Sequence, residues 1–191
     1  WVDSLAKGKN LGRGVLMMGN RASVDDLPPD LARNPLQLSG PARLTVPFYL
    51  PSFALNAVTV RLLNMVLYQI QKRGKSIVHY EKFFYPLDAV NEWNRGYGRR
   101  GFIQYQFVVP MKDGRENVRK LMTRIASSGC RPFLNVLKRF GDKPGGDLSF
   151  PMEGYTFAID FPISRKLPAL TRDLDRMVRE AGGRIYAGKD A

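Results

Sequence analysis

GFIQYQFVVP (residues 101–110) is apolar at nearly every position, yet it carries two glutamines, Gln104 and Gln106. In a strand alternate side chains share a face, so the two amides point together while Ile103, Tyr105 and Phe107 point the other way. The pattern predicts a strand over 102–109 with a core on one side and a polar lining on the other.

Working outward from this strand, a helix opens near Asp113, with Val118, Leu121, Met122 and Ile125 on one stripe. A second strand is read at FLNVLKRF (133–140), a Gly/Pro turn at GDKPGGD (141–147) and a third strand at YTFAIDFPI (155–163). A helix then carries Leu167, Leu170, Leu174, Met177 and Ala181 at helical spacing, Gly182-Gly183 stops it, and RIYA (184–187) is a last short strand. The order β-α-β-β-α-β predicts an α+β, ferredoxin-like antiparallel sheet with both helices on one face. SIVHYEKFFYPLD (76–88) is expected to add a further strand to that sheet.

Upstream, residues 19–54 hold six of the 13 prolines, which predicts a loop-rich passage. LNAVTVRLLNMVLYQIQKRG (55–74) predicts a helix burying Leu55, Val58, Leu62, Met65 and Gln69, closed by Lys72-Arg73 and Gly74.

The 191 residues, 44% hydrophobic and 25% charged, suit one domain with its own core. No window is apolar for the roughly 18 residues that a membrane span needs, and the start at Trp1 lacks the features of a signal peptide and reads as a piece of a longer chain. A formal charge of +13 favours polyanions, anionic membrane surfaces or a phosphorylated substrate, although the cations are scattered in pairs instead of forming a nucleic-acid tail. Cys130 is the only cysteine, which excludes an internal disulfide and a multi-cysteine zinc site; His79, the only histidine, is expected to have a structural or surface role instead of a catalytic one.

Common cofactor loops are missing. RGKS (73–76) lacks the upstream glycine of a phosphate-binding loop and follows a helix, and the glycines at 8, 12 and 14 do not fit the dinucleotide fingerprint. What remains is a set of polar groups inside apolar strands: Gln104, Gln106, Asn135, Lys138 and Thr156. Asn135 and Lys138 are three apart, so only one can share the glutamine face of a regular strand, and Lys138 is assigned there. It reads either as an ammonium holding a phosphate or sugar hydroxyl, or as a strand-end lysine snorkelling to water.

FFYPLDAVNEWNRGYGRRGFIQYQFVVP, FLNVLKRFG, LSFPMEGYTFAIDFPI and GGRIYAGKD together resemble the carboxy-terminal half of the decaprenylphosphoryl-β-D-ribose 2′-oxidase family, flavoproteins of the vanillyl-alcohol-oxidase fold. The similarity runs from WVDSLAKGKNLGRGVL at Trp1 to Lys189-Asp190. It implies that residues 1–183 are the substrate-binding (cap) domain of an FAD-linked oxidase, and that 184–191 begin the return to an FAD-binding domain elsewhere in the same parent chain.

In that family an open sheet face covers the flavin, and a sugar-type secondary alcohol gives hydride to FAD between them. The resemblance implies substrate contacts from Trp1, Leu87, Gln104, Gln106, Lys138, Thr156 and Lys189, and flavin contacts from Tyr186 and Lys189. No catalytic residue and no metal ligand is assigned. Mycobacterial members carry an amide at the position of Thr156 and, at that of Ala158, a cysteine that covalent inhibitors attack; this chain has no thiol there. A polyprenyl-phosphate sugar, a partner reductase, and a cytoplasmic location at the periphery of the inner membrane complete the expectation. The alternatives are an oxidase of another sugar, alditol or lactone, and a basic RNA-binding module. Against RNA, the glutamines stand where stacking rings would be needed.

Overall fold

The computed structural model describes residues 1–38, 40, 44–51, 53–71, 74–142, 146 and 149–189. The predicted helix stop at Lys72-Arg73 and most of the GDKPGGD turn lie outside the described residues. In chain order the elements are α1 (Pro29–Ala32), β1 (Leu44–Thr45), α2 (Ala57–Ile70), α3 (Tyr80–Phe84), β2 (Val90–Asn91), β3 (Phe102–Pro110), α4 (Gly114–Ser127), β4 (Asn135–Phe140), β5 (Gly154–Pro162), α5 (Leu167–Glu180) and β6 (Arg184–Ile185), with 3₁₀ turns at Gly8–Asn10, Val24–Asp26, Pro86–Ala89 and Trp93–Tyr97.

The β3-α4-β4-β5-α5-β6 half is the α+β unit that the periodicity predicts. Its four strands lie in the order β4-β5-β3-β6, and each neighbouring pair is antiparallel. That arrangement is consistent with a ferredoxin-like class, since each helix crosses over one intervening strand. Tyr105, Phe107 and Val109 of β3 and Phe157, Ile159 and Phe161 of β5 form one buried face, packed on Val118, Leu121 and Ile125 of α4 and Leu170, Leu174 and Val178 of α5. Each of these side chains contributes about 1.5–3 kcal/mol on burial. Met177 and Ala181, expected in the α5 stripe, are partly buried against the same core.

Two glycines fix how β6 returns. Gly182 adopts φ +70° after α5, and the Gly182 and Gly183 amides bond the carbonyls of Arg179 and Val178 at 2.9 and 2.8 Å, closing the helix. A Cβ on Gly183 would stand 2.3 Å from the Val108 carbonyl oxygen, so β6 reaches β3 only because that residue has no side chain.

Two expectations fail. Residues 76–88 do not extend the sheet: they contain α3 and the Pro86–Ala89 turn, and the β2 that follows pairs in parallel with β1 as a separate two-stranded ribbon. His79 supplies the reason. Its Nδ1 accepts the Glu81 amide at 3.4 Å and starts a helical turn, while Pro86 removes a ladder donor. His79 thus caps α3, a contact that gives it a part in the local structure.

The second failure concerns α2, whose buried residues are Val60 and Asn64, whereas Val58, Leu62 and Met65 face solvent. Asp3 is buried and takes Arg13 Nη2 at 2.6 Å and Asn64 Nδ2 at 2.7 Å. A buried carboxylate is costly unless bonded, so the Asn64 amide outweighs a stripe of aliphatics in setting which side of α2 turns inward.

Candidate functional site

The face of the sheet away from α4 and α5 is built in rows that follow from the register. Gln104 stands opposite Asp160; Gln106 opposite Ala158, which stands opposite Val136; and Val108 opposite Thr156, which stands opposite Lys138. Gln104, Gln106, Thr156 and Lys138 therefore share one face. Asn135 shares the other with Ile159, buried, and its side-chain amide has no protein partner. The assignment of Lys138, not Asn135, to the glutamine side holds because β4 pairs with β5 without interruption from Asn135 to Phe140.

Both ends of the face are closed by aromatic rings. At one end Tyr97 stacks on Phe102, with centroids 4.2 Å apart and planes at 24°, and Trp93 lies 5.5 Å from Phe102. At the other end Phe150 packs edge-on against Phe140 at 6.1 Å and stacks on Tyr186 at 4.6 Å, linking strands at opposite edges of the sheet. Val108 and Thr156 are buried under that end. Between the walls lies a floor of Gln106, Ala158 and Val136, with the exposed Lys138 alongside.

The polar groups of the floor are held by strand-to-strand bonds. Gln106 Nε2 donates to Thr156 Oγ1 at 3.1 Å, and the Thr156 hydroxyl donates to the Phe107 carbonyl at 2.8 Å. Gln104 Nε2 donates to Asp160 Oδ1 at 2.8 Å, and the Tyr97 hydroxyl lies 3.4 Å from Asp160 Oδ2. Burial, and then the adjacent Asp160 carboxylate, push the Tyr97 phenol far above its ordinary range, so Tyr97 keeps its proton and remains a donor. Thr156→Val should cost about 1–3 kcal/mol in urea unfolding, because it strips Gln106 of its acceptor and leaves the Phe107 carbonyl without the hydroxyl.

The remaining expected residues lie at the margins. Tyr186 donates its backbone N–H to the Gln106 carbonyl at 2.9 Å, beside the floor, and Lys189 follows in a turn with its ammonium 6.0 Å from the Tyr186 ring. Trp1 stands at the outer edge of β4: the next residue, Val2, bonds the Asn135 carbonyl at 3.0 Å, and the indole Nε1 is buried without a partner. Leu87 is exposed in the Pro86–Ala89 turn, which leads into the β1–β2 ribbon instead of the four-stranded sheet.

Among the residues of the face that were not singled out from the sequence are Asp160, Tyr97, Phe102 and Phe150. Asp160 had a signal, since it continues the alternate row of Thr156 and Ala158 as a carboxylate inside an apolar strand. Phe150 had none, because it belongs to the β4–β5 connection and its reach over the sheet is tertiary.

No family model matches this chain. Over 194 aligned residues it is 39% identical to decaprenylphosphoryl-beta-D-ribose oxidase of Mycolicibacterium smegmatis, a match that covers all of this chain and 42% of that protein. The chain resembles that oxidase along its whole length. The match is consistent with a carboxy-terminal part of the relative, in line with the resemblance carried by the strand motifs. A second relative, an uncharacterized protein in the mprA 5' region of Streptomyces coelicolor, is 33% identical over 201 residues, covering all of this chain and 53% of that protein. The chain thus spans about half the length of the curated relatives it matches.

Proposed function

We propose that this chain is the substrate-binding (cap) part of an FAD-dependent oxidoreductase that oxidises a secondary alcohol of a sugar-type substrate such as a polyprenyl-phosphate ribose. The whole-length likeness to an oxidase named for decaprenylphosphoryl-ribose carries this reading. The face between the Phe102 and Phe150 walls suits it: small Ala158 at the centre leaves room for a flat ring, and amides and a lysine border it. Bound FAD, held mainly by a domain elsewhere in the parent chain, supplies the hydride acceptor.

The chain's own residues orient the substrate. Gln106, anchored by Thr156, presents its amide to sugar hydroxyls, and Asp160 holds Gln104 in a fixed orientation beside it. The Lys138 and Lys189 ammonium groups complement negative charge on a substrate phosphate or on reduced flavin. Tyr186 borders the flavin, while Trp1 and Leu87 supply apolar walls once the FAD domain is in place. A partner reductase taking up the oxidised sugar belongs to the same reading. Thr156 and Ala158, where mycobacterial members carry an amide and a cysteine, favour a second substrate class, namely another sugar, an alditol or a lactone.

The test is anaerobic. In the full protein, decaprenylphosphoryl-ribose should bleach the flavin absorbance, and Lys138→Ala should raise KM for the phosphorylated substrate by about tenfold with kcat less affected. Bleaching by alditols alone would move the substrate, and a protein without flavin absorbance would overturn the proposal.

A further inference from the structure

Arg184 opens β6 opposite Val108, so it stands on the open face, in the row that runs through Val108 and Thr156 to Lys138 at the far edge of the sheet. It is exposed, and among the described residues it pairs with no carboxylate. Its Nη1 donates instead to the Ser149 carbonyl at 2.7 Å.

Ser149 and Phe150 belong to the stretch that leads into β5, yet they sit against β6, on the other side of β3. The Arg184 bond and the stacking of Phe150 on Tyr186 at 4.6 Å hold them there. The Tyr186 ring is in turn fixed by its own chain. The Lys189 N–H bonds the Tyr186 carbonyl at 3.1 Å, and Gly188 comes so close that an added Cβ would lie 3.0 Å from the ring. A hollow of about 370 Å³ lies at this end of the face, with Ser149, Phe150, Arg184 and Tyr186 in its lining. Stacked rings can slide over one another, whereas a charged donor on a carbonyl fixes the backbone that carries the ring.

We propose that Arg184 is a positioning residue for substrate recognition: by holding the Ser149 carbonyl it keeps Phe150 on Tyr186 and so sets the width of the open face at that end. This deepens the reading of the face as a substrate site and rests on it.

The experiment uses the full protein with decaprenylphosphoryl-ribose. Arg184→Ala should raise KM about tenfold and leave kcat within about twofold, since the wall meets a part of the substrate that does not react. Arg184→Lys, whose ammonium can still reach a single carbonyl, should recover most of the loss. Phe150→Ala should match Arg184→Ala, and the double variant should be no worse than either, because both changes remove the same wall. Hydrogen exchange needs no turnover: the backbone amides of 149–153 should exchange at least about tenfold faster in Arg184→Ala, with those of β3 unchanged. Additive losses in the double variant would mean that Arg184 meets the substrate directly, and unchanged exchange would mean that it does not hold the wall; either result overturns the proposal. A protein that oxidises no sugar, yet shows the faster exchange in Arg184→Ala, would overturn the function proposed above while confirming Arg184 as the anchor of Phe150.

Discussion

Ala158→Trp in the full protein should lower kcat/KM for the proposed sugar substrate by more than about a hundredfold, the equivalent of roughly 2.7 kcal/mol of transition-state binding. Ala158 stands between Gln106 and Val136 in the middle row of the face, partly exposed and turned away from the helices. An indole placed there occupies the room between the aromatic walls and displaces whatever the amides orient. It touches none of Phe107, Phe157 or Leu174, which form the core on the other side of the sheet, so the fold should survive. Steady-state kinetics, alongside circular dichroism and flavin content, check the result. A variant that keeps full kcat/KM would remove this face from the reaction.

The second large effect is on stability. Asp3→Ala should destabilise the chain by about 3 kcal/mol in urea unfolding, the lower end of the range for breaking a buried ion pair. Asp3 accepts from the Arg13 guanidinium, the Asn64 amide and the Leu5 backbone N–H, and from its buried position it ties the amino-terminal segment to α2. Arg13 is itself partly exposed, so water recovers some of its solvation, and the upper end of the range is not reached. The loss leaves Asn64 in a site where its Oδ1 already lacks a protein partner, which makes relaxation there costly. A loss below about 1 kcal/mol would show that the Asp3–Asn64 bond does not set the orientation of α2.

The carboxy-terminal half was legible because two periods alternate cleanly along it. Tyr105, Phe107 and Val109 repeat every second residue, Val118, Leu121 and Ile125 repeat at helical spacing, and glycines punctuate the joints. The two-residue rule also put Gln104 with Gln106 and set Lys138 apart from Asn135, whereas the strand register is what brings Thr156 and Lys138 to the same face. It failed where a local polar bond competes with apolar patterning. His79 turned an apolar run into a capped helical turn, and the Asp3–Asn64 bond rotated α2 away from its apparent hydrophobic stripe. The walls were unreadable for a different reason: Tyr97 and Phe150 come from connections, where there is no strand or helix period to read, and the Phe150–Tyr186 stack joins residues far apart in the chain.

The central claim is that the Gln106–Ala158–Val136 row faces the flavin and the substrate. A crystal structure of the full protein with FAD and a substrate analogue tests it most directly. The account predicts the flavin ring and the sugar over that row, between the Phe102 and Phe150 walls, with the sugar within hydrogen-bond reach of Gln106. A flavin bound elsewhere, with this face turned to solvent or buried against unrelated protein, would contradict it.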